Sequence, residues 1–284
     1  ISVGEFDGDG VMDVFQATGA GWFYSSGGLT EWRFLNNQSD RLPDMRLADF
    51  DGNGTSDLFA VHGTTWVVSY DGTDPWQSLA TDQPYDISEL GVGEFDGDGL
   101  ADIFRADGER WWIWGSQARA WSAVNVSGKE LSDVRLVDLS CDGITDVLSL
   151  VQGQWQVSYG AATTWTVLGE SFNDNLSGLV FADFDGSGCS DIAWTFTTYP
   201  PPPGSDVPRP PPVHTWRWLP DGQGSWQVLN ESPGVPLLQA RVADFDGDRR
   251  ADVLRYGEPP SSPLFELSSR GGVPWVTHSW HPMK

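Results

Sequence analysis

The chain has 284 residues and a mass of 31.1 kDa, enough for one large all-β domain or about two ordinary ones. Its 40 Asp and Glu against 16 Lys and Arg give a formal net charge of −24, which excludes roles that depend on gripping nucleic-acid phosphates or anionic lipid. With 20% charged residues, 33 Gly, 19 Pro and 16 Trp, the composition is that of turn-rich β-structure, not of a coiled coil or an acidic disordered tail.

At Ile1 there is neither an initiator Met nor a charged-then-apolar leader, so the chain reads as a mature or excised fragment; no apolar run of about 18 residues offers a membrane span. The first feature is a nine-residue acidic loop, 5–13 (EFDGDGVMD), leading into a β-like run. It returns at 49–57 (DFDGNGTSD), 94–102 (EFDGDGLAD), 138–146 (DLSCDGITD), 183–191 (DFDGSGCSD) and 244–252 (DFDGDRRAD). The third loop position falls at 7, 51, 96, 140, 185 and 246, in steps of 44, 45, 44, 45 and 61. Subtracting the 16-residue Pro-rich insertion 199–214 restores the last step to 45, and a fixed period of this kind marks a repeat architecture.

Nine residues past each loop stand Trp22, Trp66, Trp111, Trp155 and, with the insertion subtracted, Trp216; Phe265 takes the sixth place once four extra residues near 258–263 are allowed. Ten residues further on runs a second series, Trp32, Trp76, Trp121, Trp165, Trp226 and Trp275. Each unit holds four short β-like stretches, for example 134–137, 146–150, 155–159 and 165–168, separated by Gly- and Asn-rich turns and with no competing helical period. Six such units predict an all-β, six-bladed β-propeller with four antiparallel strands per blade. It is expected to be a single domain over 1–284, with blades near 1–40, 41–85, 86–129, 130–174, 175–235 and 236–284. Both Trp series are expected to pack blade against blade, ligand stacking being the alternative.

Each loop lies between the first two strands of its blade and offers oxygens at positions 1, 3, 5 and 9, with a glycine usually at position 6 that turns the chain back. Hard oxygen donors on a flexible loop suit Ca²⁺ better than Mg²⁺ or zinc. The loops hold 21 of the 40 carboxylates and two of the 16 bases, leaving 19 acids against 14 bases elsewhere. Loops without a counter-charge repel themselves, and up to six Ca²⁺, one per blade, are expected as structural staples.

The repeated D-F-D-G-D-G-x-x-D before a strand resembles the FG-GAP/VCBS repeat of integrin α-subunit propellers, some lectins and many secreted bacterial proteins, and the resemblance covers nearly the whole chain. Carried over by motif position, it implies Ca²⁺ ligands Glu5, Asp7, Asp9 and Asp13 in the first loop and Glu94, Asp96, Asp98 and Asp102 in the third. Glu at position 1 departs from the usual Asp, and a water is expected to intervene there. The second loop offers Asp49, Asp51, Asn53 and Asp57, and the fifth Asp183, Asp185, Ser187 and Asp191. The fourth keeps Asp138, Asp142 and Asp146 but has Ser140-Cys141 in place of Asp-Gly, which predicts a weak or empty site. The sixth keeps Asp244, Asp246, Asp248 and Asp252 but carries Arg249 where Gly is expected, asking a bulky residue for an unfavourable backbone.

The breaks in the repeat cluster toward the face carrying the strand 2–3 loops: the Pro-rich insertion, 258–263, and all four His (His62, His214, His278, His281), together with Trp194 and Trp280. Irregular loops on a rigid scaffold are where a binding site is expected, so Trp194, His214, Trp280 and His62 are its candidate residues. Trp112 and Trp114 are expected to lie buried on the other sheet face. Two cysteines, Cys141 and Cys189, make no disulfide framework or zinc spacing and are expected to be free thiols.

The reading that follows is a secreted or cell-surface, monomeric, non-catalytic binding or adhesion propeller whose partner is a glycan or an extracellular protein. Resemblance to the repeat family supports adhesion or glycan recognition as a class. A scaffold or protein-interaction propeller using the Pro-rich loop, and a polysaccharide lyase or hydrolase using His62, His214, Arg105 or Arg255, stay open beside it; no nucleophile elbow, H-E-x-x-H or phosphate-cradling loop occurs. The sequons at Asn37, Asn53, Asn125, Asn175 and Asn230 read as chance matches.

Overall fold

The computed structural model describes residues 1–170, 176–201, 210–231, 234–256, 264–271 and 275–279. The chain forms two compact units, Ile1–Leu176 and Ser177–Lys284. The first holds four four-stranded sheets and the second two, and in every sheet each strand pairs antiparallel with its neighbour in sequence. Four antiparallel strands make one blade, and there are six blades.

Blade one comprises Ser2–Gly4, Asp13–Ala17, Trp22–Ser25 and Arg33–Asn36; blade two, Met45–Ala48, Asp57–His62, Thr65–Ser69 and Gln77–Ala80. Blade three runs through Gly91–Gly93, Asp102–Ala106, Arg110–Gly115 and Ala120–Val126, and blade four through Val134–Val137, Asp146–Val151, Gln154–Ser158 and Thr166–Glu170. Blade five has Val180–Ala182, Asp191–Thr198, Val213–Leu219 and Gln227–Asn230, and blade six Arg241–Ala243, Asp252–Tyr256, Leu264–Ser268 and Val276–Ser279. The second strands read as continuous apolar runs, such as Leu58-Phe59-Ala60, because both their faces are covered; all three residues are buried.

Trp22, Trp66, Trp111, Trp155 and Trp216 are fully buried on the third strands. Their indoles meet the second series edge-on across adjacent blades, with ring centroids 5.3 Å apart for Trp22–Trp76, 5.7 Å for Trp66–Trp121, 5.3 Å for Trp111–Trp165 and 6.0 Å for Trp216–Trp275. Such pairs contribute about 1 kcal/mol beyond the area they bury. Immediately after each buried Trp the pairing of strands three and four shifts register, so a β-bulge recurs at Trp22, Trp66, Trp111, Trp155 and Trp216. Trp114 is buried and packs edge-on against Trp66 at 5.5 Å, but Trp112, expected to be buried beside it, is half-exposed.

Blades are also joined by polar latches. Asn36 Nδ2 donates to the carbonyls of Gly72, Thr73 and Asp74 in the strand 3–4 turn of the next blade; Asn125 reaches Ala161 and Thr163, and Asn230 reaches Gly271, in the same way. The Asn125 and Asn230 side-chain amides, which a glycan would have to modify, are thus engaged in holding blade to blade. The acidic loops are linked in turn: the amide of position 8 donates to the position-1 carbonyl of the preceding loop in Ser56–Glu5, Ala101–Asp49, Thr145–Glu94 and Ala251–Asp183, each at 2.6 Å. Both cysteines are disulfide-bonded, which corrects the expectation of free thiols. Their places in consecutive copies of the loop were the available signal, outweighed by the small cysteine count.

Candidate functional site

The last Asp of every loop is fully buried and performs one structural task. In Asp13, Asp57, Asp102, Asp146, Asp191 and Asp252, Oδ2 accepts the amide of loop position 2, at 2.7–3.1 Å. Oδ1 accepts an amide from the strand 3–4 turn of the same blade: Gly27, Asp71, Ser116, Gly160, Asp221 and Arg270 respectively, at 2.8–3.0 Å. One carboxylate therefore ties the two turns at that end of the blade together. Burial, reinforced by the neighbouring loop carboxylates, pushes Asp13, Asp57 and Asp102 up to about 7 and Asp191 and Asp252 up to about 6, despite these hydrogen bonds; Asp146 is raised as well.

Position 1 fills the concave side of the turn. Asp49 accepts the amides of Gly52 at 2.7 Å and Gly54 at 2.8 Å, and Glu5 accepts those of Asp7 at 2.9 Å and of Gly8, the equivalent of Gly52, at 2.7 Å. Glu5 thus occupies the turn directly with its longer side chain. Positions 3 and 5 form local Asx turns: Asp96 accepts the Asp98 amide and Asp98 that of Leu100, while Asp9 accepts from Val11. In the sixth loop Arg249 takes the position of the usual Gly at φ +67, the strained conformation expected for it, and its amide still reaches Asp244. In the fourth, Asp138 accepts from Cys141 and Gly143, and Asp142 from Ile144, so the loop keeps its shape without an acid at position 3.

Carboxylate oxygens of Glu5, Asp7 and Asp13 lie within 4.8 Å of one another, as do those of Asp49, Asp51 and Asp57, of Glu94, Asp96 and Asp102, and of Asp183, Asp185 and Asp191. Ligands at about 2.4 Å from a shared Ca²⁺ are separated by at most about 5 Å, so positions 1, 3 and 9 fit a single hard cation. Asn53 at position 5 also faces the turn, donating to Asp71 at 2.8 Å; Ser187 accepts the Cys189 amide at 3.2 Å.

The residues expected at the second face do not form one constellation. Trp194 pairs across the strands with Arg217, and Thr197 with His214; because Trp194 and Thr197 are three residues apart on one strand, Trp194 and His214 lie on opposite faces of blade five. Trp194 packs against Gly178, where an added Cβ would fall 1.9 Å from the indole. His214 Nδ1 lies 3.0 Å from the Thr197 hydroxyl. In blade two His62 Nε2 is 2.9 Å from Asp40, whose other oxygen accepts the Trp76 indole N–H at 3.0 Å. Trp280, His281 and most of the Pro-rich insertion lie outside the described residues.

A cluster that the sequence reading passed over stands at the strand 2–3 turn of blade three. Arg105 and Trp112 are direct cross-strand partners. Arg105 Nη1 and Trp112 Nε1 both donate to Asp107 Oδ2 at 3.0 Å, and the Arg105 guanidinium lies 4.3 Å from the Tyr85 ring centroid. Burial raises the Asp107 carboxyl, but hydrogen bonds from the Arg110 and Glu109 amides, Trp112 and Arg105 outweigh it and hold the group at about 2, permanently ionised. The result is two half-exposed aromatic rings beside a fixed carboxylate and guanidinium.

Over 97% of its length the chain superposes on 78% of an Agrocybe aegerita lectin that recognises non-reducing terminal N-acetylglucosamine, with a TM-score of 0.60 and 16% identity. The fold is a β-propeller. TolB from Acinetobacter baumannii matches 91% of this chain and 61% of its own at a TM-score of 0.51 and 11% identity, and the Niastella koreensis GH74 enzyme 97% and 44% at 0.46 and 12%. No family model and no curated protein matches the chain, so the FG-GAP/VCBS resemblance rests on the loop motif. Among the described residues no helix is long and apolar enough to cross a membrane.

Proposed function

We propose that this chain is a calcium-stabilised, non-catalytic, carbohydrate-binding propeller that works outside the cell. The observation that carries the reading is the cluster of Tyr85, Arg105, Asp107 and Trp112. Sugar recognition calls for an aromatic face against the C–H side of a pyranose and for prepaid, oriented charges toward its hydroxyls, and here the ions and rings hold one another in place. The propeller likeness to a lectin supports the same class of ligand. A disulfide supports an oxidising, extracellular setting.

Calcium in this reading is held by positions 1, 3 and 9 of the loops, with position 5 adding Asp9, Asn53, Asp98 or Ser187; it neutralises carboxylates that the chain's own residues bring together. The alternative is a lytic reading, for which His62 with Asp40 at 2.9 Å would supply an acid–base pair. The test is a glycan array in millimolar Ca²⁺ with the parent, Trp112→Ala and Arg105→Ala. Specific binding by the parent, weakened at least tenfold in both variants with unchanged circular dichroism, is the expected result. Binding that survives both substitutions moves the site elsewhere, and a parent that binds no glycan removes the carbohydrate reading.

A further inference from the structure

The six loops share one backbone but differ in what the adjoining strand 3–4 turn brings to them. The turn residue whose amide caps the last loop Asp is Gly27, Asp71, Ser116, Gly160, Asp221 or Arg270, so the side chain at this position differs from loop to loop and is missing in the first and fourth. Asp71 turns its carboxylate inward, where Oδ1 accepts Asn53 Nδ2 at 2.8 Å and the Thr55 hydroxyl. Asp221 Oδ1 is buried without a hydrogen-bond partner, and burial, then the charges of Asp185 and Asp183, raise its carboxyl.

In the sixth loop the sign is reversed. Arg270 Nε and Nη2 both donate to Asp248 Oδ2, at 3.1 and 2.8 Å, and the adjacent Ser269 hydroxyl donates to Asp246 Oδ2 at 2.9 Å. One carboxylate oxygen at each of positions 3 and 5 is therefore taken by a donor from the turn, and a positive charge already stands beside position 5. A two-pronged guanidinium contact of this kind satisfies a carboxylate in charge and in geometry. The first loop offers a contrast: Arg33 touches Asp7 through one nitrogen at 3.4 Å from a side chain that is 54% exposed, a contact that solvent screens.

We propose that this turn residue selects which loops take a divalent cation: Asp71 and Asp221 add a carboxylate to the second and fifth loops, whereas the Arg270 guanidinium occupies the cation's place in the sixth and leaves it free of metal. The inference rests on the calcium reading above and adds to it a residue-level rule for occupancy. A tethered cation also suits a loop that keeps Asp244, Asp246, Asp248 and Asp252 with Arg249 held at φ +67.

The full chain, stripped with chelator and titrated with CaCl₂, tests this by a count of bound ions in native mass spectrometry and calorimetry. Arg270→Gly keeps the left-handed turn, as Gly27 and Gly160 do at φ 58° and 56°, and is expected to bind one ion more than the parent. Asp71→Arg, placing the blade-six residue in blade two, is expected to bind one fewer. A parent that binds calcium while Arg270→Gly shows no higher count overturns this inference alone. A parent that binds no calcium overturns the metal reading itself. Should Asp71→Arg fail to fold, the Arg270→Gly count decides.

Discussion

The buried loop aspartates show how one residue type at one position serves two ends. Each accepts backbone amides from two separate turns, and a buried donor left unpaired costs about 1–3 kcal/mol. Asp57→Asn keeps one acceptor and turns an N–H toward the other donor, so we expect a loss of about 1–3 kcal/mol in urea denaturation carried out in chelator. Asp9→Asn, at an exposed loop position, is expected to change stability by less than about 0.5 kcal/mol under the same conditions. Equal losses in the two variants would mean that the buried carboxylate has no special role. The repeat made position 9 conspicuous as a metal ligand, but its partners across the blade could not be read from spacing, because they come from a turn 14 to 30 residues away.

As an element, the acidic loop stores unfavourable charge whose sign sets its pH dependence. In the unfolded chain these aspartates titrate near 3.8, whereas in the folded chain Asp13, Asp57 and Asp102 titrate near 7 and Asp191 and Asp252 near 6. Between those values the folded state holds protons that the unfolded state has released. Without metal, stability therefore falls as pH rises from about 4 to about 7 and levels off above that range. Calcium held by the loops as proposed would compete with protons for these carboxylates, so its stabilisation is expected to grow over the same interval. Thermal melts at pH 5 and pH 8, in EDTA and in millimolar Ca²⁺, are expected to show the larger calcium-dependent rise in Tm at pH 8. A calcium effect that is absent, or larger at pH 5, contradicts this account of the loops.

Across the whole molecule, the charge of −24 is concentrated: outside the six loops 19 acids face 14 bases, because Arg249 and Arg250 belong to the sixth loop. Repulsion is thus a property of the loop series, whose members are hydrogen-bonded blade to blade within each compact unit. Added NaCl should raise the Tm of the chelated protein through screening, and should do so far less once calcium is bound. A salt response identical in the two states would place the repulsion elsewhere. Against this charge stand the interlocked indoles; Trp66→Ala, which empties a fully buried site between blades two and three, falls in the class that costs about 3–5 kcal/mol.

The period of the acidic motif and the two Trp series were sufficient for the blade count, the four strands per blade and the blade-to-blade role of the tryptophans, because a repeat states its architecture once per unit and each copy confirms the others. Local rules also located the strained Arg249. What depended on tertiary structure was every relation between separate turns: the amide pairs held by the last loop Asp, the Asn latches, the bonding of Cys141 and Cys189, the grouping of Tyr85 with Arg105, Asp107 and Trp112, and the reach of Arg270 to Asp248. Sequence order specifies which strand a side chain stands on, but bulges, register and blade packing decide which turn it meets, and that is where charge and recognition are settled.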